Sequence, residues 1–481
     1  MLLGLALVVA FAATAAQGTV KTGDATFPNG LTGQVQVTPT QGIVGSEATI
    51  QGSGFEAGSQ LDIVWRAFDG HWKLGMKNGE YDGDFLGRSF TTRMVPLATV
   101  TVAADGTFSV AFRVPEGFGG THDIYVRKSG ANVNKTGYNV QLHAAMTPQR
   151  GTLGSTITVH LTGLNDLHNI AGWYSVLYDD TMTGFITAVT THGTATVEIP
   201  ATGRVGKHIV KLIRAPFGQP YLAYTTSPYA ALAAPQFIFT VTDGSPVLPK
   251  PIAQQAVSPK AGSEPSGEGP KLWVDPGQAP VFTKAHVHAR GLPANAHVAL
   301  AFTEMSGSRV TESGFAPKMV AFATVSADAE GAFDVPFQIP DALGGTHRLE
   351  ASVGGRVVAS AHFGIDPVGL PLDPAQGPVG TAITLHVKGV GWTQTDNIFA
   401  VVIDNVFYGY ACGFSTNGDV VVPITAAWAP GWHYIDLYPS FYRNKDYSAV
   451  DEQPFLYRQA TLTWHDHPNH LHFRYAFKVT N

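Results

Sequence analysis

Val37-Thr-Pro-Thr-Gln-Gly-Ile-Val-Gly-Ser46 recurs as Met146-Thr-Pro-Gln-Arg-Gly-Thr-Leu-Gly-Ser155 and as Leu372-Asp-Pro-Ala-Gln-Gly-Pro-Val-Gly-Thr381. In each copy a Gly follows the Pro at the third position, and a second Gly stands before Ser or Thr. Each copy runs into an alternating segment closed by a Gly turn: Thr49-Ile-Gln-Gly-Ser-Gly-Phe55, Thr156-Ile-Thr-Val-His-Leu-Thr-Gly163 and Ile383-Thr-Leu-His-Val-Lys-Gly389. A fourth, weaker copy begins at Val274-Asp-Pro-Gly277, lacks the Gly-Ser/Thr step, and continues Ala285-His-Val-His-Ala-Arg-Gly291. Period-two alternation over about six to eight residues between Gly and Pro is the pattern of a half-buried antiparallel strand.

The second half of each unit repeats as well. Ala104-Asp-Gly-Thr-Phe-Ser-Val-Ala-Phe-Arg-Val-Pro115 and Ala329-Glu-Gly-Ala-Phe-Asp-Val-Pro-Phe-Gln-Ile-Pro340 are near copies, which ties the first repeat to the third. Val176-Leu-Tyr-Asp-Asp180, Gly184-Phe185 and Thr191-His-Gly193 match Val402-Ile-Asp-Asn405, Gly409-Tyr410 and Thr416-Asn-Gly418, which ties the second to the fourth. The order is A-B-A′-B′, as a duplicated two-domain unit would give. Expected boundaries are an N-terminal arm at 17–34, domains at 35–144 and 145–243, a linker at 244–271, and domains at 272–366 and 367–481. The linker, rich in Pro, Gly and Ser, reads as a semi-extended spacer between two rod-like halves.

Composition agrees with this reading. Of 481 residues only 14% are charged, while 53 are Gly and 31 Pro; this excludes a charge-rich disordered chain and fits many short strands broken by turns. Cys412 is the only cysteine, so no disulfide framework exists. A net charge of −6 without a Lys/Arg cluster excludes the electrostatic footprint of a nucleic-acid or anionic-membrane binder. Leu2 to Ala13 is apolar or small and is followed by Thr14-Ala15-Ala16-Gln17. Residues 1–16 are therefore expected to be a secretory signal, and the mature chain to be secreted or held at the cell surface without membrane insertion. No Cys follows the run, so no lipoprotein anchor is expected.

Units of about 100 residues with some seven short strands and no required disulfide give an all-β class: four tandem immunoglobulin-like β-sandwiches. Pro39-Thr-Gln-Gly-Ile-Val-Gly-Ser-Glu-Ala-Thr-Ile-Gln-Gly-Ser-Gly-Phe55 resembles the opening of an IPT/TIG-type immunoglobulin-like domain. There a Pro-Gly turn and a Gly-Ser/Thr step lead to a strand closed by Gly-x-Gly-Phe. The resemblance is closest in the first repeat and partial in the second and fourth. It implies prokaryotic surface proteins in which such domains serve as stalks, adhesins or appendages to enzymes, and fold alone does not fix which.

The 18 His residues sort by repeat. His122, His208, His347 and His433 hold one position, two after a Gly and before an alternating strand, and are expected to be scaffold. His465, His467, His470 and His472 fall within Trp464-His-Asp-His-Pro-Asn-His-Leu-His-Phe473, which has no counterpart in the second repeat. Alternation on both flanks reads as a hairpin, with His465 opposite His470 and His472 on the same face. Such imidazoles are candidate ligands for Zn or Cu. The first repeat exceeds the third at about residues 69–92, which reads as a long loop on a rigid sandwich. Within it Trp72, Tyr81 and Phe85 offer stacking faces for a sugar or a protein, and Glu80, Asp82 and Asp84 offer oxygens to Ca.

No Gly-x-Ser-x-Gly, phosphate-binding Gly-rich loop or His-Glu-x-x-His occurs. Asp179 and Asp404 share a repeat position and read as strand-end turns. The expected function is a non-catalytic extracellular or cell-surface structural protein: a stalk, adhesin or subunit of an extracellular assembly. Its expected partners are a cell-surface protein or glycan and further copies of itself, and no cofactor is required. The alternatives are a receptor using the loop at 69–92 and an extracellular metal binder using the C-terminal histidines.

Overall fold

A computed structural model describes residues 20–22, 25–77, 80–165, 173–215, 219–226, 234–307, 315–391, 397–413, 417–440, 459–467 and 471–481. The side chains of 20–22, 74–77, 80–87 and 224 are not among those described. The expected signal therefore lies outside the described residues. Among the described residues no helix is long and apolar enough to cross a membrane.

Every repeat folds as one three-stranded and one five-stranded sheet. In the first, Gln34–Thr38, Glu47–Ser53 and Phe108–Arg113 form the small sheet. The large sheet runs in the order Gln41–Gly42, Ala131–Val140, Gly120–Lys128, Gln60–Lys77, Glu80–Thr101. The quoted repeat motif is the point where the opening strand changes sheets. Gln34–Thr38 pairs antiparallel with Glu47–Ser53, while Gln41 and Gly42 pair in parallel with Asn139 and Val140. Pro39 stands between the two because it has no N–H to give to either ladder. The same switch carries Pro148, Pro276 and Pro374, and all four Pro follow a cis peptide bond. The fold is thus four tandem immunoglobulin-like sandwiches, all-β, in A-B-A′-B′ order. Between the sheets of the first lie Ile50, Ile63, Trp65, Phe112, Ile124 and Tyr138, all buried.

The second Gly of the motif meets a backbone requirement. Gly45, Gly154 and Gly380 have φ of 81°, 75° and 95°. In that conformation their N–H groups donate to Val114 O, Ala201 O and Ala426 O, which closes the turn onto the small sheet. The third repeat keeps this geometry without the glycine. Phe282 has φ 67° and donates its N–H to Ile339 O at 2.9 Å. The step missing from the third copy is a missing residue type, and the backbone conformation is retained.

A and B units differ in the hairpin at the edge of the large sheet. It is long in the A units, Gln60–Lys77 with Glu80–Thr101 and His297–Gly307 with Phe315–Ser326. It is short in the B units, Tyr174–Tyr178 with Thr181–Ile186 and Ile398–Ile403 with Val406–Cys412. The excess at 69–92, expected as a loop, is therefore the far part of a β-ribbon. Pairing across the hairpin satisfies backbone groups that the Gly- and Asp-rich sequence would otherwise leave to water.

The chain forms two compact units, Met1–Asp69 with Thr91–His143, and Gly70–Phe90 with Ala144–Asn481. Within the second unit the spacer expectation for 244–271 is corrected. Ile252 is 8% exposed and belongs to the apolar core of the fourth sandwich. Next to it Gln255 acts as a strand residue in miniature: its Nε2–H donates to Arg474 O and its Oε1 accepts from Arg474 N–H. Val247 N–H donates to Leu153 O, and Tyr434 OH donates to Val247 O. A few contacts of this kind dock a segment too poor in apolar residues to fold alone. Within this unit the second and fourth sandwiches lie against each other.

Gly380 holds φ 95°, a left-handed backbone that costs an L-residue about 1–2 kcal/mol, and a Cβ there would meet nothing within 4 Å. Gly380→Ala is therefore expected to lower stability by about 1 kcal/mol in denaturant unfolding.

Candidate functional site

The four scaffold histidines are placed identically. Nε2 of His122, His208, His347 and His433 faces the carbonyl four residues back, at Phe118, Arg204, Leu343 and Ala429, at 2.6, 2.7, 2.7 and 2.8 Å. Each ring therefore closes the bend that leads into its strand. Nδ1 separates the two types of unit. In the A units it faces a strand carbonyl, Arg66 O or Thr303 O. In the B units it faces a carboxylate at 2.6 Å, Asp179 Oδ2 or Asp404 Oδ2. These Asp residues sit in turns with positive φ, 49° at both, and also accept the N–H of Ile209 or Tyr434. They are strand-end turn residues, as their repeat position suggests. Burial works to lower the His433 pKa, but the hydrogen bond and charge of Asp404 outweigh it, and the pKa lies above its ordinary 6.5.

The C-terminal histidines do not form the expected hairpin. Trp464–Asp466 is a 3-10 turn, and Thr461 forms a parallel bridge with Phe185 of the second sandwich. The reason lies in the last strand. Phe473–Val479 pairs on one side with Gly431–Leu437, and on the other Gln376–Gly377 meets its end while Gln255 holds Arg474. Phe185 N–H donates to Ala460 O and Leu462 N–H to Phe185 O, so residues 460–462 add to the edge of the second sandwich. Gly184 permits this approach, since a Cβ there would lie 2.4 Å from Ala460 O.

Asp466 is the centre of this contact. Its side chain is 1% exposed, and it accepts from backbone N–H groups of Val189 (2.9 Å), Thr190 (2.6 Å) and Thr191 (3.3 Å). The hydroxyls of Thr187 (2.9 Å) and Thr190 (2.6 Å) also donate to it. Consecutive N–H groups converging on one carboxylate form an anion nest, filled here by the protein's own side chain. With its proton given to Asp466, the Thr187 hydroxyl accepts from Nε2–H of His467 at 3.0 Å. His467 stacks on Trp72 at 4.6 Å between ring centroids, and Trp72 Nε1–H donates to Asp466 O at 2.6 Å. The far part of the ribbon, the C-terminal segment and the second sandwich thus meet at one buried point.

A second polar group is buried in the fourth sandwich. Asp436 is fully buried and accepts from Arg474 Nε–H and His472 Nε2–H, both at 2.6 Å. Burial works to raise the Asp436 pKa, but Arg474 and His472 hold it below the ordinary carboxylate value. Burial pushes the His472 pKa down, which leaves the ring neutral beside an Asp–Arg ion pair. The ring lies flat on Tyr438, 4.3 Å between centroids and 6° between planes.

The candidate residues therefore separate. His467 and His472 have different partners, His465 is exposed with its ring edge-on to Trp464, and His470 lies outside the described residues. Among the described residues no three His, Cys, Asp or Glu side chains are grouped to hold a metal. One indole face of Trp72 is covered by His467 and is not a free stacking platform. Glu80, Tyr81, Asp82, Asp84 and Phe85 lie in the returning strand of the ribbon, and their side chains are outside those described, as is the Ca arrangement expected of them. Sequence reasoning missed Gly184, the Thr-rich run at 187–191 and Asn405. The signal for Asn405 was present, since it replaces Asp180 at one repeat position.

No protein-family model and no curated protein matches the chain. Among solved structures, Salmonella alpha-2-macroglobulin is 12% identical over 97% of this chain, with a TM-score of 0.18. The match takes in 31% of that protein, so the chain spans about a third of its length. Invasin, a bacterial integrin-binding protein, is 10% identical over 93% of this chain and 79% of its own, with a TM-score of 0.19. The Escherichia coli adhesin FdeC is 14% identical over 69% of this chain and 96% of its own, with a TM-score of 0.14. Scores this low carry no functional argument, and the sandwich fold rests on the sheet topology itself.

Two measurements check the site. Asp466→Ala leaves the N–H groups of Val189, Thr190 and Thr191 and the Thr187 hydroxyl without their acceptor, while the Thr190 hydroxyl keeps Asp466 O, and is expected to cost about 3 kcal/mol in denaturant unfolding. Gly184→Val, whose added side chain would collide with Ala460 O and the buried Leu462, should make 459–467 accessible to protease. For His433, whose pKa is raised, the Asp404 contact stabilises fully below about pH 6.5 and fades as pH rises through the folded value. The loss of Tm in Asp404→Asn should therefore be larger at about pH 6 than at about pH 9.

Proposed function

We propose that this chain is a non-catalytic, extracellular or cell-surface scaffold of the stalk or adhesin kind, built to hold its sandwiches in fixed relation within the second compact unit. The observation that carries this reading is the Asp466 nest. A buried carboxylate held by five donors from a domain more than 200 residues away in sequence is a joint that resists domain motion. The default for tandem modules is relative motion across small polar contacts, and this contact is built against it. Side chains that in isolation suggest chemistry, His467, His472 and Asp436, support the same reading because each is engaged in holding backbone or a neighbouring ring. The apolar N-terminal run supports export. The partner in this reading is a surface protein or glycan, and no cofactor is needed.

Expression in a diderm or monoderm host with a C-terminal epitope tests the address. The chain is expected in the medium or on intact cells, where added protease removes it, and retention of the full-length chain in the cytosol would refute the proposal.

A further inference from the structure

The small sheet of the third sandwich carries a pair of imidazoles that the other sandwiches lack. His286 and His288 stand on the strand Lys284–Arg290 with the buried Val287 between them, so both rings lie on the outer face of the sheet. At the equivalent positions the other sandwiches have Thr49 and Gln51, Thr158 and His160, and Thr384 and His386. The residue in register with the second position differs too. It is Ser109, Thr196 or Val421 in the others and Asp334 in the third.

Asp334 faces both rings. Nδ1–H of His286 donates to its Oδ1 at 2.5 Å, and Nδ1 of His288 lies 3.6 Å from its Oδ2. From the other side Trp273, in register with His288, stacks on that ring with 5.0 Å between centroids and 18° between planes. The two imidazoles are themselves 6.0 Å apart and within 22° of parallel. A neutral ring that gives its Nδ1 proton to a carboxylate keeps a lone pair on Nε2. Among the described residues no hydrogen bond engages Nε2 of His286 or His288. The lone histidines at this position in the B units are engaged instead: His160 Nδ1 faces Thr196 Oγ1 at 3.2 Å, and His386 Nε2–H donates to Asp419 Oδ1 at 3.0 Å.

Imidazole nitrogen suits late first-row transition ions, and a carboxylate bonded to Nδ1–H fixes the ring and raises the basicity of Nε2. We propose that His286 and His288 chelate a divalent ion of this class through Nε2, copper(II) most tightly, with Asp334 as a positioning residue and water completing the coordination. Each Nε2 must come within about 2 Å of the ion. His286, with its side chain 53% exposed, has solvent on its free side and can turn toward it. His288, 24% exposed and stacked on Trp273, is the fixed half. Local charge does not oppose a cation. Lys284 and Arg290 lie on the same strand, but Arg290 is paired with Glu264, and Asp275 and Asp334 stand in register with the two imidazoles. The site needs two protein ligands, so it does not depend on a group of three. It goes beyond the scaffold role, which would stand if no ion bound.

The test titrates the mature full-length chain with copper(II) chloride in a non-coordinating buffer, followed by calorimetry and by tryptophan fluorescence. Copper(II) held beside the indole of Trp273 quenches it, so emission should fall as the site fills, and Trp273→Phe should remove that part of the loss. His286→Ala, at an exposed side chain, and the double variant with His288→Ala should keep the wild-type Tm and bind about one copper ion fewer per chain. Asp334→Ala, also exposed, should weaken binding about tenfold. His470→Ala, in the C-terminal tract, should leave the quench unchanged. A wild-type chain that binds no copper, a folded double variant that binds as many ions, or a quench that survives in it would each overturn the proposal. Unchanged affinity in Asp334→Ala would overturn the positioning role.

Discussion

The joint between the second and fourth sandwiches depends on one carboxylate. Asp466 has lost its water and receives in exchange three backbone N–H groups and two hydroxyls from residues 187–191. Removing a charge from water is costly unless donors replace the lost hydration, so the nest and the side chain require each other. Once Asp466 is seated, its neighbours have little freedom. His467 is fixed by the Thr187 hydroxyl, Trp72 by His467 and the Asp466 carbonyl, and Ala460 to Leu462 by the edge of the second sandwich.

Repetition and asymmetry divide the work in this chain. What all four units share is internal: the sheet-switching Pro, the left-handed residue that closes the next turn, and the histidine that bonds the carbonyl four residues back. What differs lies at the edges. The A units extend one hairpin, and the fourth replaces Asp180 with Asn405 and inserts a long segment before its last strand. An amide can give up its water to a carbonyl at no cost in charge, whereas an Asp in that place would face Pro200 O with no proton to donate. One substitution in a duplicated turn thus separates the surface that docks from the one that stays in solvent.

The fold was legible because sandwich cores impose a local pattern. Alternation, Pro and Gly at fixed offsets, and recurring His positions are read within a dozen residues, and the sheets follow them. The turn role of Asp179 and Asp404 and the scaffold role of His122, His208, His347 and His433 were legible for the same reason. The C-terminal cluster was misread because alternation on two flanks suggests a hairpin, while the true partner of Thr461 is Phe185, far away in sequence. The linker was misread because composition averages over residues, and docking rests on a few of them, Val247, Ile252 and Gln255.

The sequence by itself determined four β-sandwiches, their A-B-A′-B′ order and the residues that shape each one, since those depend on side-chain period and backbone conformation over short spans. Only the tertiary structure decided which polar residues are buried and against what. Burial of Asp466, Asp436 and Asn405 depends on surfaces contributed by distant segments, and desolvation is a property of the assembled neighbourhood. The same physical fact places His467 in a structural joint and His472 beside a buried ion pair.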